Sequence, residues 1–404
     1  MFDYQKTSQY FAQVAGSLEE DAAAELGELG ATQVEAVHRG VRFSAPADVV
    51  YRVAYASRLA GKVLAPLRSF RARDPEELYE RTRDLRWDLL IDNRDTFSVF
   101  GNVAGELFTH SQYASLKVKD AIVDSIRDRT GARPDVDREN ADVRVGLHVI
   151  EDRATLYLEA TGGSLHRRGY RRSAGEAPMK ETLAAAIIRF TGWTGFAPVD
   201  QAEAAPARVP LYDPVCGSGT LLAEALMHAA RIPTAYLRKK HGFERFPDFN
   251  ASAWKDVKRD LDSRIREVPP DLIAGSDVSQ EAVESARLNL RALPGGERVS
   301  VRVADFRRLT GFENGVLVAN PPYGIRLGDP EEVRDLYREL GDFLKQRCKG
   351  SSAFIYVGDR DLLRAIGLRP SAKKALVTGN LDGRCCRFDI FRGRWGERAG
   401  TAAP

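Results

Sequence analysis

At 404 residues the chain is too long for one ordinary domain, and two or three are expected. A hydrophobic content of 43% is ample for sizeable cores, yet no apolar run is long enough to span a bilayer and Met1-Phe2-Asp3-Tyr4-Gln5-Lys6 lacks the basic-then-apolar order of a signal peptide, so a soluble cytoplasmic protein with no membrane contact is expected. A net charge of +3 does not announce a nucleic-acid binder, the four cysteines lack metal-ligand spacing with histidine, and the six scattered histidines form no triad, so no metal is expected.

The first segment alternates strand-like and helix-like patterns. Tyr10–Val14 reads as a strand, and Leu18–Leu29 as a helix with Ser17 as N-cap and Gly30 as its stop. Gln33–Val37 and Gly40–Phe43 read as a hairpin, and Ala47–Leu59 as a second amphipathic helix. The second segment opens a helix at Asp74-Pro75, an N-cap followed by proline at the first helical position. Thr96–Phe100 alternates as a strand, Ser115–Arg129 is a long helix bearing Lys117 and Lys119, and Val143–Val149 pairs with Ala154–Leu158. Both segments are α+β, and neither offers a nucleophile.

A cationic stretch follows: His166-Arg167-Arg168-Gly169-Tyr170-Arg171-Arg172. Arginine forks match phosphate oxygens and the interleaved tyrosine can stack on a base, so Arg167, Arg168, Arg171 and Arg172, with Lys117 and Lys119, are the candidate nucleic-acid contacts. After it, Glu181–Ile188 is a strong helix ending near Gly192, and Ala202–Pro206 is loop-like. Strands are then predicted at Pro210–Tyr212, Leu272–Ser276, Val299–Val303, Val316–Val318 and Ala353–Val357, with helices between most of them. This is the pattern of a mainly parallel, doubly wound sheet. Residues 228–270 are too long for a plain crossover and read as an insertion near the ligand face.

The chemistry gathers at four successive strand ends, where open α/β sheets bind ligands. The first carries Asp213-Pro214-Val215-Cys216-Gly217-Ser218-Gly219-Thr220, whose glycines allow a tight turn and close approach to a ligand. It is neither a Walker A loop nor a three-glycine dinucleotide fingerprint. The second ends in Asp277-Val278, where a carboxylate can accept from both ribose hydroxyls, and the third in Asp305-Phe306, an acceptor for an adenine amine with a ring to pack on it. The fourth ends in Asn320-Pro321-Pro322-Tyr323-Gly324. The prolines forbid further ladder pairing, the Asn320 amide oxygen and a freed carbonyl can each accept one amine hydrogen, and Tyr323 can stack on a ring. Each acid alone reads more readily as a helix cap than as a ligand contact; the ordered set of four does not.

This order resembles the class I S-adenosylmethionine-dependent methyltransferases, and the Asn-Pro-Pro-Tyr loop resembles those acting on exocyclic amines of nucleobases. Thr109–Tyr113, Arg133–Asp137, Leu165–Arg171, Ala177–Ala185 and Leu376–Arg384 are similar to segments of the THUMP-domain RNA guanine-N2 methyltransferases, chiefly those acting on ribosomal RNA. The resemblance implies an N-terminal ferredoxin-like domain (1–66), a THUMP RNA-binding domain (67–162) and a Rossmann-like methyltransferase domain (163–397). It implies S-adenosylmethionine as cofactor, with Asp213, Pro214, Cys216, Gly217, Ser218, Gly219 and Thr220 at its methionine part. Asp277 and Val278 would serve its ribose, Asp305 and Phe306 its adenine, and Asn320 would border it. Lys180 and Glu181 would lie beside the pocket. Asn320, Pro321, Pro322 and Tyr323 would be catalytic, and RNA the partner, ribosomal ahead of transfer RNA. Methylation of DNA adenine or protein glutamine, and a non-enzymatic RNA-binding role, are the competing readings.

Overall fold

The computed structural model describes residues 1–173, 178–196, 208–323, 330–378 and 381–392. Ala177, the 202–206 loop, Gly324, Gly379, Asn380 and residues 393–397 of the expected third domain lie outside them. The N-terminal elements are α1 (Asp3–Thr7), β1 (Gln9–Val14), α2 (Glu19–Glu28), β2 (Thr32–Val37), β3 (Gly40–Ser44), α3 (Ala47–Ala56) and β4 (Ala60–Arg71). Next come α4 (Pro75–Arg83), β5 (Thr96–Ala104), α5 (Ser111–Thr130), β6 (Asp135–Val136), β7 (Val143–Ile150) and β8 (Arg153–Glu159). The remainder is α6 (Glu181–Thr191), β9 (Leu211–Asp213), α7 (Thr220–Ala229), α8 (Ala251–Ser263), β10 (Ile273–Asp277), α9 (Gln280–Leu290), β11 (Ser300–Val303), β12 (Val316–Ala319), α10 (Pro330–Arg347), β13 (Ser352–Val357), α11 (Arg360–Ala365), β14 (Ala372–Thr378) and β15 (Leu381–Asp389).

The chain forms two compact units, 1–167 with 233–263, and 168–232 with 264–404. In the first, one eight-stranded sheet runs β2-β3-β1-β4-β8-β7-β5-β6. The expected ferredoxin-like and THUMP domains therefore share a sheet, because the 12-residue β4 runs across the expected boundary and pairs with β1 on one side and β8 on the other. Asp74 caps α4 as its sequence predicts, accepting from the N–H groups of Glu76 and Glu77. Ser17 does not cap α2: it sits at φ 69 with its hydroxyl on the Gly16 carbonyl, and α2 starts under Glu19, Glu20 and Asp21, which suit the positive end of the helix dipole. Helix α3 stops at Ala56, short of Leu59, because buried Glu25 takes hydrogen bonds from the Ser57 hydroxyl (2.7 Å) and the Arg58 N–H (2.8 Å) and turns the chain extended.

The segment 233–263 departs furthest from expectation. It packs in the first unit although its sequence lies within that of the second. Aromatic packing decides this: the Phe243 ring lies 4.6 Å from Tyr51, Trp254 lies 5.2 Å from Tyr55, and the Tyr4 hydroxyl donates to Asp248 at 2.6 Å.

In the second unit the sheet order is β11-β10-β9-β12-β13-β15-β14. The first five strands are parallel, and the β14–β15 hairpin adds antiparallel to β13. Strand β12 is buried along its whole length, as the apolar run 316–319 requires of a central parallel strand. The order reverses direction at β9 and β12, the neighbouring pair whose ends carry the glycine loop and Asn320. Among the described residues no helix is long and apolar enough to cross a membrane.

Candidate active site

The glycine loop leaves β9 at Asp213 and enters α7 at Thr220. Gly217 and Gly219 stand at φ 52 and φ 78, a conformation side chains resist, and a Cβ at Gly219 would come within 3.0 Å of Ala286. Asp213 lies beneath the loop and not on its rim: its carboxylate is buried and accepts from the Val215 N–H at 3.0 Å. Burial, with Asp277 adding, raises that carboxyl well above the usual range. Pro214, Cys216, Gly219 and Thr220 are also enclosed, leaving Val215, Gly217 and Ser218 as the accessible rim.

Asp277 ends β10 and accepts from the Gly217 N–H (2.9 Å) and the Ser279 N–H (3.0 Å), one on each oxygen. It thus ties the glycine loop to the next strand and keeps a further lone pair per oxygen for a diol. Val278 beside it is exposed. Asp305 is wrapped by Arg307, whose Nε sits 2.9 Å from both carboxylate oxygens, and this contact holds the carboxyl below its ordinary range. Phe306 does not face a ligand: it is buried in the apolar core with Tyr337 and Phe343, 5.7 Å from the Phe343 ring. An adenine-packing role for it is excluded by that burial.

Asn320 follows β12 on the loop side of the sheet. Its Oδ1 is enclosed and has no hydrogen-bond partner among the described residues. An orphan carbonyl oxygen of this kind costs about 1–3 kcal/mol, which a fold tolerates where a ligand completes the bond. Pro321 is buried and its carbonyl is 3.5 Å from the Tyr337 hydroxyl, at the limit of a hydrogen bond, so one lone pair is left over. Tyr323 is half-buried, edge-on to Tyr356 at 5.9 Å. Its ring lies over Gly358, where a Cβ would meet ring atoms at 2.7, 3.0 and 3.1 Å.

The cationic run does not present a row of arginines. The Arg168 and Glu224 side chains are both 0% exposed and paired at 3.2 Å, and the Tyr170 hydroxyl reaches the same carboxylate at 3.3 Å. Arg168 as an RNA contact and Tyr170 as a base-stacking ring are therefore corrected: a lone guanidinium beside an apolar core must be paired, and Glu224 on α7 pairs it. Arg171 is turned onto Glu181 and the glycine loop. Lys117 and Lys119 are paired with Glu76 and Asp120, and only Arg167 and Arg172 remain exposed. Asn289, Tyr337 and Gly358 were missed from sequence; Gly358 directly follows β13, whereas Asn289 lies at the end of α9 and Tyr337 two turns into α10, where no local signal marks them.

A parallel sheet with a glycine loop, an acid and an Asn-Pro-Pro-Tyr turn at neighbouring carboxyl ends defines a class I S-adenosylmethionine-dependent methyltransferase. Residues 168–387 match the RMKL-like methyltransferase domain, 72–159 the THUMP domain and 9–64 the RlmL ferredoxin-like domain. The chain belongs to the RMKL-like methyltransferase family. A Synechocystis protein named as an RNA methyltransferase is 36% identical over 386 residues, 95% of this chain and 97% of that one. The ribosomal RNA large subunit methyltransferase K/L of Photobacterium profundum is 36% identical over 381 residues, 93% of this chain; the match spans 52% of that protein, about half its length. Among solved structures, the methyltransferase SMU.472 in complex with SAH is 27% identical with TM-score 0.81, covering 96% of this chain and 99% of that one.

Proposed function

We propose that the chain methylates the exocyclic N2 amine of a guanosine in RNA, with 23S ribosomal RNA as the substrate and transfer RNA as the alternative. The observation that carries this reading is the Asn320 Oδ1, enclosed and without a partner among the described residues at the end of a central strand. Support for RNA comes from the THUMP match at 72–159, and for the ribosomal large subunit from the name of the Photobacterium relative.

When bound, S-adenosylmethionine supplies a methyl group on positively charged sulfur, already activated toward attack. The chain's task is to hold the amine, whose lone pair is delocalised into the guanine ring. Asn320 Oδ1 accepts one N–H and the free lone pair of the Pro321 carbonyl accepts the other, which turns the nitrogen lone pair out of the ring plane. As the nitrogen becomes positive both N–H groups polarise, so these acceptors bind more strongly at the transition state than before it. Tyr323 is backed by Gly358, and its ring stacks on the base. The surplus proton leaves to water once the new N–C bond has formed, and no side-chain base is needed. A paired guanine cannot reach this loop, so the target is unpaired or flipped out. Nucleoside mass spectrometry of 23S RNA from cells with and without the protein tests this: one N2-methylguanosine should disappear with the gene, and an unchanged profile refutes the reading.

A further inference from the structure

Gly217 and Gly219 both hold positive φ, so the glycine loop relies on contacts from neighbouring groups to keep its shape, the Asp277 carboxylate on the Gly217 N–H among them. Its shape is imposed from outside. Arg171 Nε donates to Glu181 Oε1 at 3.0 Å, Nη2 donates to the Met179 carbonyl at 3.0 Å and to Thr220 Oγ1 at 3.2 Å, and Nη1 approaches Ser218 Oγ at 3.5 Å. On the other side Asn289 Oδ1 accepts from the N–H groups of Arg172 (2.7 Å) and Ser173 (3.0 Å), while its Nδ2 donates to the Ser173 (2.8 Å) and Ser218 (3.0 Å) carbonyls. Ser218 is thereby gripped twice, by its hydroxyl and by its carbonyl. Glu181 balances the guanidinium charge, which leaves geometry as what Arg171 contributes.

From this we infer that Arg171 is a positioning residue for the amino-acid end of the cofactor, acting through Ser218 and Thr220. The inference rests on the reading of the 213–220 loop as the holder of the methionine part. A braced loop needs no ordering when the ligand arrives, and the ligand's affinity rises by that saving. The adenosine end, at Asp277 and Val278, meets the loop through the Gly217 N–H on Asp277, which the Ser279 N–H also holds from its own side, so it gains less from the brace.

The test uses the full chain, without RNA, by calorimetry with two ligands. S-adenosylhomocysteine carries the amino-acid end; 5′-methylthioadenosine has the same adenine, ribose and sulfur without it. In Arg171→Gln, S-adenosylhomocysteine should bind about tenfold or more weaker while 5′-methylthioadenosine stays within about twofold. Arg171→Lys, which keeps charge but not the fork, should behave like the glutamine variant. Thr220→Val removes one acceptor without disturbing the pair with Glu181 and should show the same selectivity at about threefold. Equal losses for the two ligands, or an unchanged affinity for S-adenosylhomocysteine in folded Arg171→Gln or Thr220→Val, overturn the inference. A wrong assignment of the guanine substrate leaves these isotherms untouched, so the two failures are separable.

Discussion

Replacing Asn320 by alanine separates catalysis from folding by sign. The amine is held by two acceptors, Asn320 Oδ1 and the Pro321 carbonyl, and alanine deletes one. Loss of one oriented contact to a developing charge lowers turnover by about 10² to 10³, roughly 2.7–4 kcal/mol. Stability should move the other way or not at all, because the deleted oxygen is enclosed and partnerless among the described residues, a burden of about 1–3 kcal/mol relieved by the substitution and offset by lost packing. The assay is single-turnover transfer of labelled methyl to saturating RNA, with cofactor affinity by calorimetry and melting by scanning calorimetry on the same preparations. The expected result is a rate lower by about two to three powers of ten, cofactor affinity within about threefold, and no drop in melting temperature. Turnover within about threefold of wild type would refute the argument, as would a rate loss accounted for wholly by weaker cofactor binding.

Gly358→Ala drives a methyl into the Tyr323 ring, whose nearest atom would be 2.7 Å away, so methyl transfer should fall about tenfold with cofactor affinity retained; equal rates would show that the ring does not set the pocket. Glu224→Leu removes the carboxylate paired with the buried Arg168 guanidinium and should cost about 3–5 kcal/mol in denaturant unfolding, while Arg168→Met with Glu224→Leu recovers most of it. Burial, with Arg238 and Lys258 adding, pushes His241 down to about 4. Between pH about 6.5 and 4 the unfolded chain then binds a proton that the folded chain does not, so unfolding free energy should fall as pH drops, by up to about 3 kcal/mol, and His241→Phe should flatten that slope in urea titrations.

The parallel sheet and the loops at its strand ends were readable because their signals are local. Short apolar runs such as 316–319 mark buried parallel strands, and what stands at their ends is adjacent in sequence. The failures are non-local. The arginines at 167–172 look like a phosphate grip because the carboxylate that neutralises Arg168 lies 56 residues further on. Phe306 looks like an adenine platform because its neighbours Tyr337 and Phe343 come from a helix beyond the active loop. Residues 233–263 sit inside the catalytic sequence but pack with the first unit, since rings at Phe243 and Trp254 find Tyr51 and Tyr55 there. Charge and hydropathy state what a residue needs; they do not state which distant partner supplies it.

The most direct measurement is in vitro transfer. The full chain is incubated with methyl-labelled S-adenosylmethionine and 23S RNA lacking its modifications, and the RNA is digested to nucleosides and resolved by mass spectrometry. Label in N2-methylguanosine, lost with Asn320→Ala, is the predicted result; label in N6-methyladenosine, or none in any nucleoside, contradicts it.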